Sequence, residues 1–495
     1  MALFYIATLG CKVNQYESQA LREAWVAAGL CETREPEQAA VILVNSCAVT
    51  AKAVADVRNA VRRLHRAAPE AAIIVTGCAA APQAKELAAL PGVRRVVPQD
   101  GKAGLKALVP ELARNMENDC GGIRKEAPPE NIPAARPAYP DFAVSGYERS
   151  RAVLKIQDGC SHGCAYCIVP LTRGGARSRP FAESLAEARR LLEAGFGEIV
   201  ISGVNLRQYR QRGGQGFWHF LSALDGALAP EWAGRARFRL SSLEPGQLDG
   251  EALETLARCR MVAPHLHLSL QSGSPSVLRR MGRGHYEPLL LPAFLAELRT
   301  IWPLYGLGAD ILTGFPGESA GEFAEGLELV RALGLTYAHV FPYSKRPGTT
   351  AAVMPDQIAH DVKKERAAAL RETARQGKEA FLRQLAALPE LTVAFEDRDG
   401  DPADSDGRAS GQTTNQTANQ TAGHPTNQAT GAPAGHAAAP AIDATKNRTS
   451  RGVCEYYAEC RLSGGVPARG LTRVRPCGAD GETLLVARTP EAVCG

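Results

Sequence analysis

The chain has 495 residues, of which 45% are hydrophobic and 22% charged, and a formal net charge of +5. A length of this order implies about two to four domains with ample buried core, and the balance excludes an intrinsically disordered chain. The mild positive charge permits contact with nucleic acid through a local patch without arguing for it.

Residues 3–9 read as a strand directly at the N-terminus, with no basic segment, long apolar run or cleavage site before it. No later apolar run is long enough to span a bilayer, so a cytoplasmic protein with no membrane contact is expected. Strands at 40–45, 72–76 and 92–97 alternate with helices at 15–28, 54–66 and 83–90. That order predicts an α/β fold with an N-terminal doubly wound parallel sheet. Residues 118–146 are rich in Pro, Ala and Glu and read as a linker. Strands follow at 153–157, 198–202, 237–241, 265–270, 308–312 and 337–341, most of them separated by helices, which predicts a central partial (β/α)6 barrel. A polar helix at 359–388 leads to a strand at 391–396. Residues 399–450 are low-complexity and almost free of large apolar residues, so they are expected to be a disordered insertion. Strands at 455–462, 471–474 and 483–488 predict a small C-terminal β-barrel split by that insertion.

Thirteen cysteines in a long chain without a secretory leader point to metal or redox chemistry. Cys160, Cys164 and Cys167 have the spacing Cys-x3-Cys-x2-Cys just after a strand. Three thiolates can hold a [4Fe–4S] cluster and leave one iron open to a small molecule. A structural zinc site wants four closed ligands, and His162, beside Cys160, is poorly placed to be the fourth. Cys11, Cys47 and Cys78 each follow one of the first three strands. Parallel strands end along one edge, so these thiols are expected to meet there and hold a second cluster. Packing is the alternative for any one of them, and Cys31, Cys120 and Cys259 read as structural. Cys454, Cys460, Cys477 and Cys494 fit no short metal motif. His265 and His267 lie two apart on a strand and should share a face, as barrel-interior or packing residues.

The segments Thr8-Leu9-Gly10-Cys11-Lys12-Val13-Asn14-Gln15-Tyr16-Glu17-Ser18, Val44-Asn45-Ser46-Cys47-Ala48-Val49-Thr50 and Val75-Thr76-Gly77-Cys78, with the central triad, resemble the methylthiotransferase family of radical S-adenosylmethionine (SAM) enzymes. That family joins an N-terminal cluster domain, a radical-SAM barrel and an RNA-binding barrel called TRAM. The resemblance implies domains at 1–117, 147–388 and 389–495, the last interrupted at 399–450. It also implies two [4Fe–4S] clusters and SAM as radical source and methyl donor. By the same resemblance, the cluster on Cys160, Cys164 and Cys167 binds SAM, and that on Cys11, Cys47 and Cys78 presents the sulfur. Tyr166, Ser202, Gly203, Asn205, Ser241, Glu244, Gln271 and Asp310 are expected to line the cofactor site. Arg173, Arg177 and Arg179 follow the cluster loop and are expected to reach SAM carboxylate or tRNA phosphate, with Arg179 assigned to the cofactor.

The first of these segments and Phe341-Pro342-Tyr343-Ser344-Lys345-Arg346-Pro347-Gly348-Thr349 are similar to the branch that methylthiolates C2 of N6-threonylcarbamoyladenosine at position 37 of tRNA. That implies the tRNA anticodon stem-loop as partner and an external electron donor such as flavodoxin or ferredoxin, with the enzyme acting as a monomer. Arg461, Arg469, Arg473, Arg475 and Arg488 in the tail would suit an RNA backbone. The alternatives are the same chemistry on N6-isopentenyladenosine-37 or on a ribosomal-protein aspartate, or a non-catalytic iron–sulfur protein that binds RNA or carries electrons.

Overall fold

The computed structural model describes residues 2–107, 139–396, 449–463 and 470–489. Residues 118–138 of the expected linker, residues 399–448 of the expected insertion, and Cys120, Arg469 and Cys494 lie outside them.

The N-terminal sheet is parallel, with strand order β2(Cys31–Glu32)-β1(Leu3–Thr8)-β3(Val41–Ser46)-β4(Ala72–Gly77)-β5(Val93–Val97). β3 and β4 are buried at every position, as expected of central parallel strands covered on both faces. The helix Ala51–Ala67 starts where the Thr50 side chain accepts from the Ala53 amide at 3.0 Å, and His65 and Arg66 sit in its last turn. The short edge strand β2 was not expected from the sequence, since two residues carry no readable period. In this order the chain adds strands to one side of β1 and then to the other, and such a switch point opens a crevice beyond the strand ends of β1 and β3. Cys11 and Cys47 follow these two strands.

The central unit consists of two three-stranded parallel sheets, β6(Arg151–Lys155)-β9(Glu198–Ser202)-β10(Arg237–Leu240) and β11(His265–Gln271)-β12(Gly306–Thr313)-β13(Tyr337–Pro342). Bridges Phe238↔Val262 and Leu243↔Leu268 join the segments of β10 and β11, giving a six-stranded open barrel. The short strands β7(Gln157–Asp158) and β8(Arg177–Ser178) pair beside the cluster loop. Helices including Phe181–Glu193, Gly250–Arg258 and Ala320–Leu333 connect the barrel strands. The last of these carries a Ser319/Glu322 capping box and ends at Gly334 in the left-handed conformation.

The helix His360–Ala386 leads into a closed five-stranded barrel, in the order β14(Leu391–Glu396)-β15(Thr449–Cys454)-β16(Glu459–Ser463)-β18(Thr483–Arg488)-β17(Thr472–Asp480). β14 pairs directly with β15, so this barrel closes even though residues 397–448 separate the two strands in sequence. Thr449 and Ser450 belong to β15 and not to the insertion in which the sequence placed them. Cys454 and Cys460 are buried in this barrel's core, while Cys477 is exposed. Among the described residues no helix is long and apolar enough to cross a membrane.

The small barrel docks on the β/α barrel through two arginines of β10. Arg237 donates to the carbonyls of Thr392 and Val453, both at 2.9 Å, and Arg239 to that of Cys454 at 2.9 Å. Glu198 in β9 holds both guanidinium groups at 2.7 Å. Burial opposes its ionisation, but Arg239 and Arg237 outweigh that and keep its carboxyl below the usual range.

Candidate active site

Cys11 is the N-cap of the helix Lys12–Ala27, at the positive end of the helix dipole. Gly10 precedes it at φ +103, where a Cβ would come within 3.0 Å of the Cys47 sulfur. Asn14 ties the loops together by donating to the carbonyls of Leu9 at 2.8 Å and Ser46 at 2.9 Å. Cys47 and Cys78 are buried, and burial pushes the Cys47 thiol up to about 12, with Cys11 and Cys78 nearby adding to the shift. Such a thiol ionises when a binding metal displaces its proton to solvent. Cys11 and Cys78 are thus near enough to Cys47 to act on its ionisation, beyond the ends of β1, β3 and β4.

The central loop leaves β7 with Gly159 at φ +67, where a Cβ would lie 2.1 Å from the Gly175 carbonyl oxygen. The Cys160 amide donates to Gly174 O at 3.0 Å, and the Cys167 amide to Cys164 O at 3.0 Å. Burial pushes the Cys167 thiol up to about 12. Arg283 Nη1 stands 3.7 Å from the Cys164 sulfur and Asn205 Nδ2 3.9 Å from the Cys160 sulfur. Glu244 is the polar centre of this end of the barrel. Its Oε1 lies 2.6 Å from His285 and 3.0 Å from Arg283, and its Oε2 accepts from Asn205 at 3.3 Å. Gln157 fixes Asn205 by accepting from its amide at 2.8 Å and also donates to Gly159 O at 2.7 Å.

Three thiols leave a tetrahedral zinc one protein ligand short, whereas three can hold a [4Fe–4S] cluster with one iron open. Tetrahedral zinc with Zn–S bonds of about 2.3 Å holds its sulfurs roughly 4 Å apart. The described side chains gathered within 4.8 Å as one ion's ligands are His162, Glu244 and His285, and His267, Asp310 and His339, with neither cysteine triad among them.

The other expected cofactor contacts are distributed unevenly. Ser202 and Gly203 end β9, and a Cβ on Gly203 would meet the Gln157 side chain at 2.9 Å. Tyr166 packs beside the core cluster that includes Met281 and Phe315. Gln271 has φ 60 at the end of β11, beside a register irregularity. Ser241 and Asp310 line a separate cavity of about 90 Å³ in the barrel lumen.

The three arginines stand elsewhere than the sequence placed them. Arg173 is 5% exposed and bonds Glu17, Asp158 and Asn14 at 2.8, 2.9 and 2.7 Å. Arg179 is 3% exposed and bonds Glu187 at 3.0 Å and Tyr16 at 3.2 Å, joining the barrel to the first helix. Arg177 is partly buried against Asp158. Basic residues after a cluster loop suggest an anionic ligand, but here the protein's own carboxylates, Glu17, Asp158 and Glu187, take that role. Arg283 and His285, which carry no motif signal, instead supply the basic side chains around Glu244.

A Cys-x3-Cys-x2-Cys loop at the strand ends of an open β/α barrel defines a radical-SAM protein, here preceded by a parallel-sheet domain with three further strand-end cysteines. Residues 154–330 match the radical SAM superfamily and residues 3–98 the uncharacterized protein family UPF0004. The threonylcarbamoyladenosine tRNA methylthiotransferase MtaB of Bacillus subtilis is 37% identical over 74% of this chain and 79% of its own length. The protein of that name from Thermotoga maritima is 35% identical over 75% and 81%. A tRNA-2-methylthio-N(6)-dimethylallyladenosine synthase of Sphingopyxis alaskensis is 33% identical over 76% and 83%. The chain belongs to the methylthiotransferase family of radical SAM enzymes, in its MtaB branch. In fold it is similar to the radical SAM methyltransferase TsrM of Kitasatospora setae, with a TM-score of 0.52 over 71% of this chain and 75% of that one, at 15% identity.

Proposed function

We propose that this enzyme adds a methylthio group to C2 of N6-threonylcarbamoyladenosine at position 37 of tRNA. The observation that carries the reading is the pair of cysteine triads, joined through the buried guanidinium of Arg173. The names of the MtaB relatives, at 32% to 37% identity, point to the substrate. When bound, a [4Fe–4S] cluster with SAM on Cys160, Cys164 and Cys167 and a second cluster on Cys11, Cys47 and Cys78 supply radical and sulfur chemistry for an unactivated C–H bond.

The protein's own part is positioning. Glu244 presents an anionic site for an ammonium group beside the central triad, while Arg283 and Asn205 donate towards its sulfurs. Arg346, buried in the segment 341–349, has the Cys47 thiol within electrostatic reach. On the small barrel, Arg473 and Arg475 point outward from β17 while Val474 and Pro476 point in, which gives a basic strip for an RNA backbone. The tRNA anticodon stem-loop is the partner in this reading. The enzyme works as a cytoplasmic monomer and takes electrons from an external donor such as flavodoxin or ferredoxin.

Mass spectrometry of tRNA nucleosides from a strain lacking this chain tests the function. Loss of the methylthio form of threonylcarbamoyladenosine is the expected result. An unchanged nucleoside profile would sink it, and selective loss of methylthio-isopentenyladenosine would move the chain to the sister activity.

A further inference from the structure

The cavity in the barrel lumen, of about 90 Å³, is several times what one water needs. Its walls are polar and incompletely bonded. Ser241 Oγ, His265 Nδ1 and His339 Nε2 are buried without a partner, on side chains of which Ser241 is 8% and His265 2% exposed. Buried polar atoms are normally satisfied, so three on one small cavity imply an occupant that bonds them. Tyr337 Oη is already engaged, 2.9 Å from His265 Nε2 and 2.8 Å from His267 Nδ1. Tyr457 of the small barrel packs beneath, 4.5 Å from the His265 ring.

The charges in the lumen indicate the occupant's sign. Asp310 is held by His267 at 3.1 Å and His339 at 3.0 Å, and Arg239 by Glu198 at 2.7 Å. Lys12 also lines the cavity, and among the described residues no carboxylate pairs with it. His267, Asp310 and His339 have the spacing to hold a cation, but a lysine ammonium in the same cavity opposes a divalent ion. An anion with hydrogen-bonding groups attached fits better. Lys12 immediately follows Cys11, so a ligand held by Lys12 lies next to the N-terminal triad.

Resting on the function proposed above, we infer that this lumen receives the N6 substituent of the substrate adenine. Lys12 pairs with the threonyl carboxylate, while Ser241, His265 and His339 bond its hydroxyl and carbonyl groups. The same lumen discriminates against an isopentenyl group. That substituent would desolvate Lys12 without a counter-charge and leave all three polar atoms unbonded, and a site built for polar groups strongly rejects an analogue lacking them.

The test compares the reconstituted full chain on two anticodon stem-loops. One carries threonylcarbamoyladenosine and the other its primary amide, in which the carboxylate charge is gone. The wild-type enzyme is expected to lose roughly tenfold or more in kcat/KM on the amide, mainly through KM. Lys12→Met should lose the same factor on the carboxylate and treat both loops alike, Lys12→Arg should recover most of it, and KM for SAM should not move. Equal wild-type kinetics on the two loops, a Lys12→Met enzyme that keeps the preference, or a shifted KM for SAM each overturns the inference. The amide arm uses wild-type protein, so it decides the matter even if a Lys12 variant fails to assemble its neighbouring cluster. No product from the carboxylate loop would overturn the proposed function, and this pocket with it.

Discussion

Arg173 Nη1 lies 2.8 Å from Glu17 Oε1 and 2.9 Å from Asp158 Oδ1, so one guanidinium joins the N-terminal sheet to the β/α barrel. Glu17 follows Cys11 on the first helix, and Asp158 immediately precedes the central cluster loop. Lys155 and Lys102 complete the network on Glu17 at 2.7 and 2.5 Å, with both ammonium groups fully buried. Burial opposes the charge on Glu17, but Arg173, Lys102 and Lys155 together outweigh it and hold the carboxyl well below its usual range. The two triads are therefore set relative to one another by a rigid, desolvated set of charges.

Removing the centre of that network should be costly. Glu17→Gln leaves buried Lys102 facing a neutral amide, while Asp158 still pairs with Lys155 and Arg173, and breaking a buried ion pair from one side costs about 3–5 kcal/mol. Denaturant unfolding of the variant should show a free energy of unfolding lower by about that amount. A change below about 1 kcal/mol would mean that the network contributes little to stability.

The two triads should fail differently. Cys160→Ala is expected to abolish formation of 5′-deoxyadenosine from SAM. Cys47→Ala should retain some SAM cleavage while losing sulfur insertion. Chromatography of 5′-deoxyadenosine and of the modified nucleoside reads both, and equal cleavage defects would argue against separate roles.

Gly159 turns the chain into the central triad where no other residue fits, because its φ is +67 and a Cβ would lie 2.1 Å from the Gly175 oxygen. Gly159→Ala should strain the loop by about 1–3 kcal/mol. The reconstituted variant should then carry about half the iron of the wild type, since the N-terminal triad is untouched. Full iron content would show that the loop adapts.

Acid should weaken the attachment of the small barrel. The folded-state pKa of Glu198 is depressed, so its contribution is present above an unfolded value of about 4.3 and is lost as pH falls through the folded one. Glu198→Gln should lower stability at neutral pH, and the gap from wild type should narrow below about pH 4. Urea midpoints between neutral and acid pH measure this, and a constant gap would exclude the linkage.

Much of the site could be read from the chain itself. The apolar runs of β3 and β4, and the alternation of strands and helices, placed Cys11, Cys47 and Cys78 at neighbouring strand ends before any contact was known. The spacing of Cys160, Cys164 and Cys167 is local, so sequence reports it directly. Asn205 and Glu244 follow strand ends of the barrel, and the structure brings Asn205 to 3.9 Å from the Cys160 sulfur and 3.3 Å from Glu244.

The contacts that cross from one element to another were decided by tertiary structure. Arg173 and Arg179 looked like ligand-binding arginines until Glu17 and Glu187 took them up, the first from 156 residues away. Thr449–Cys454 became a strand by pairing with β14 across a long gap in sequence. Lys12 entered the barrel lumen only because the N-terminal sheet and the barrel pack as they do. Periodicity and spacing report which face a residue shares with its near neighbours. Which opposite charge or unbonded atom waits on another element depends on how those elements pack, and sequence separation carries no record of it.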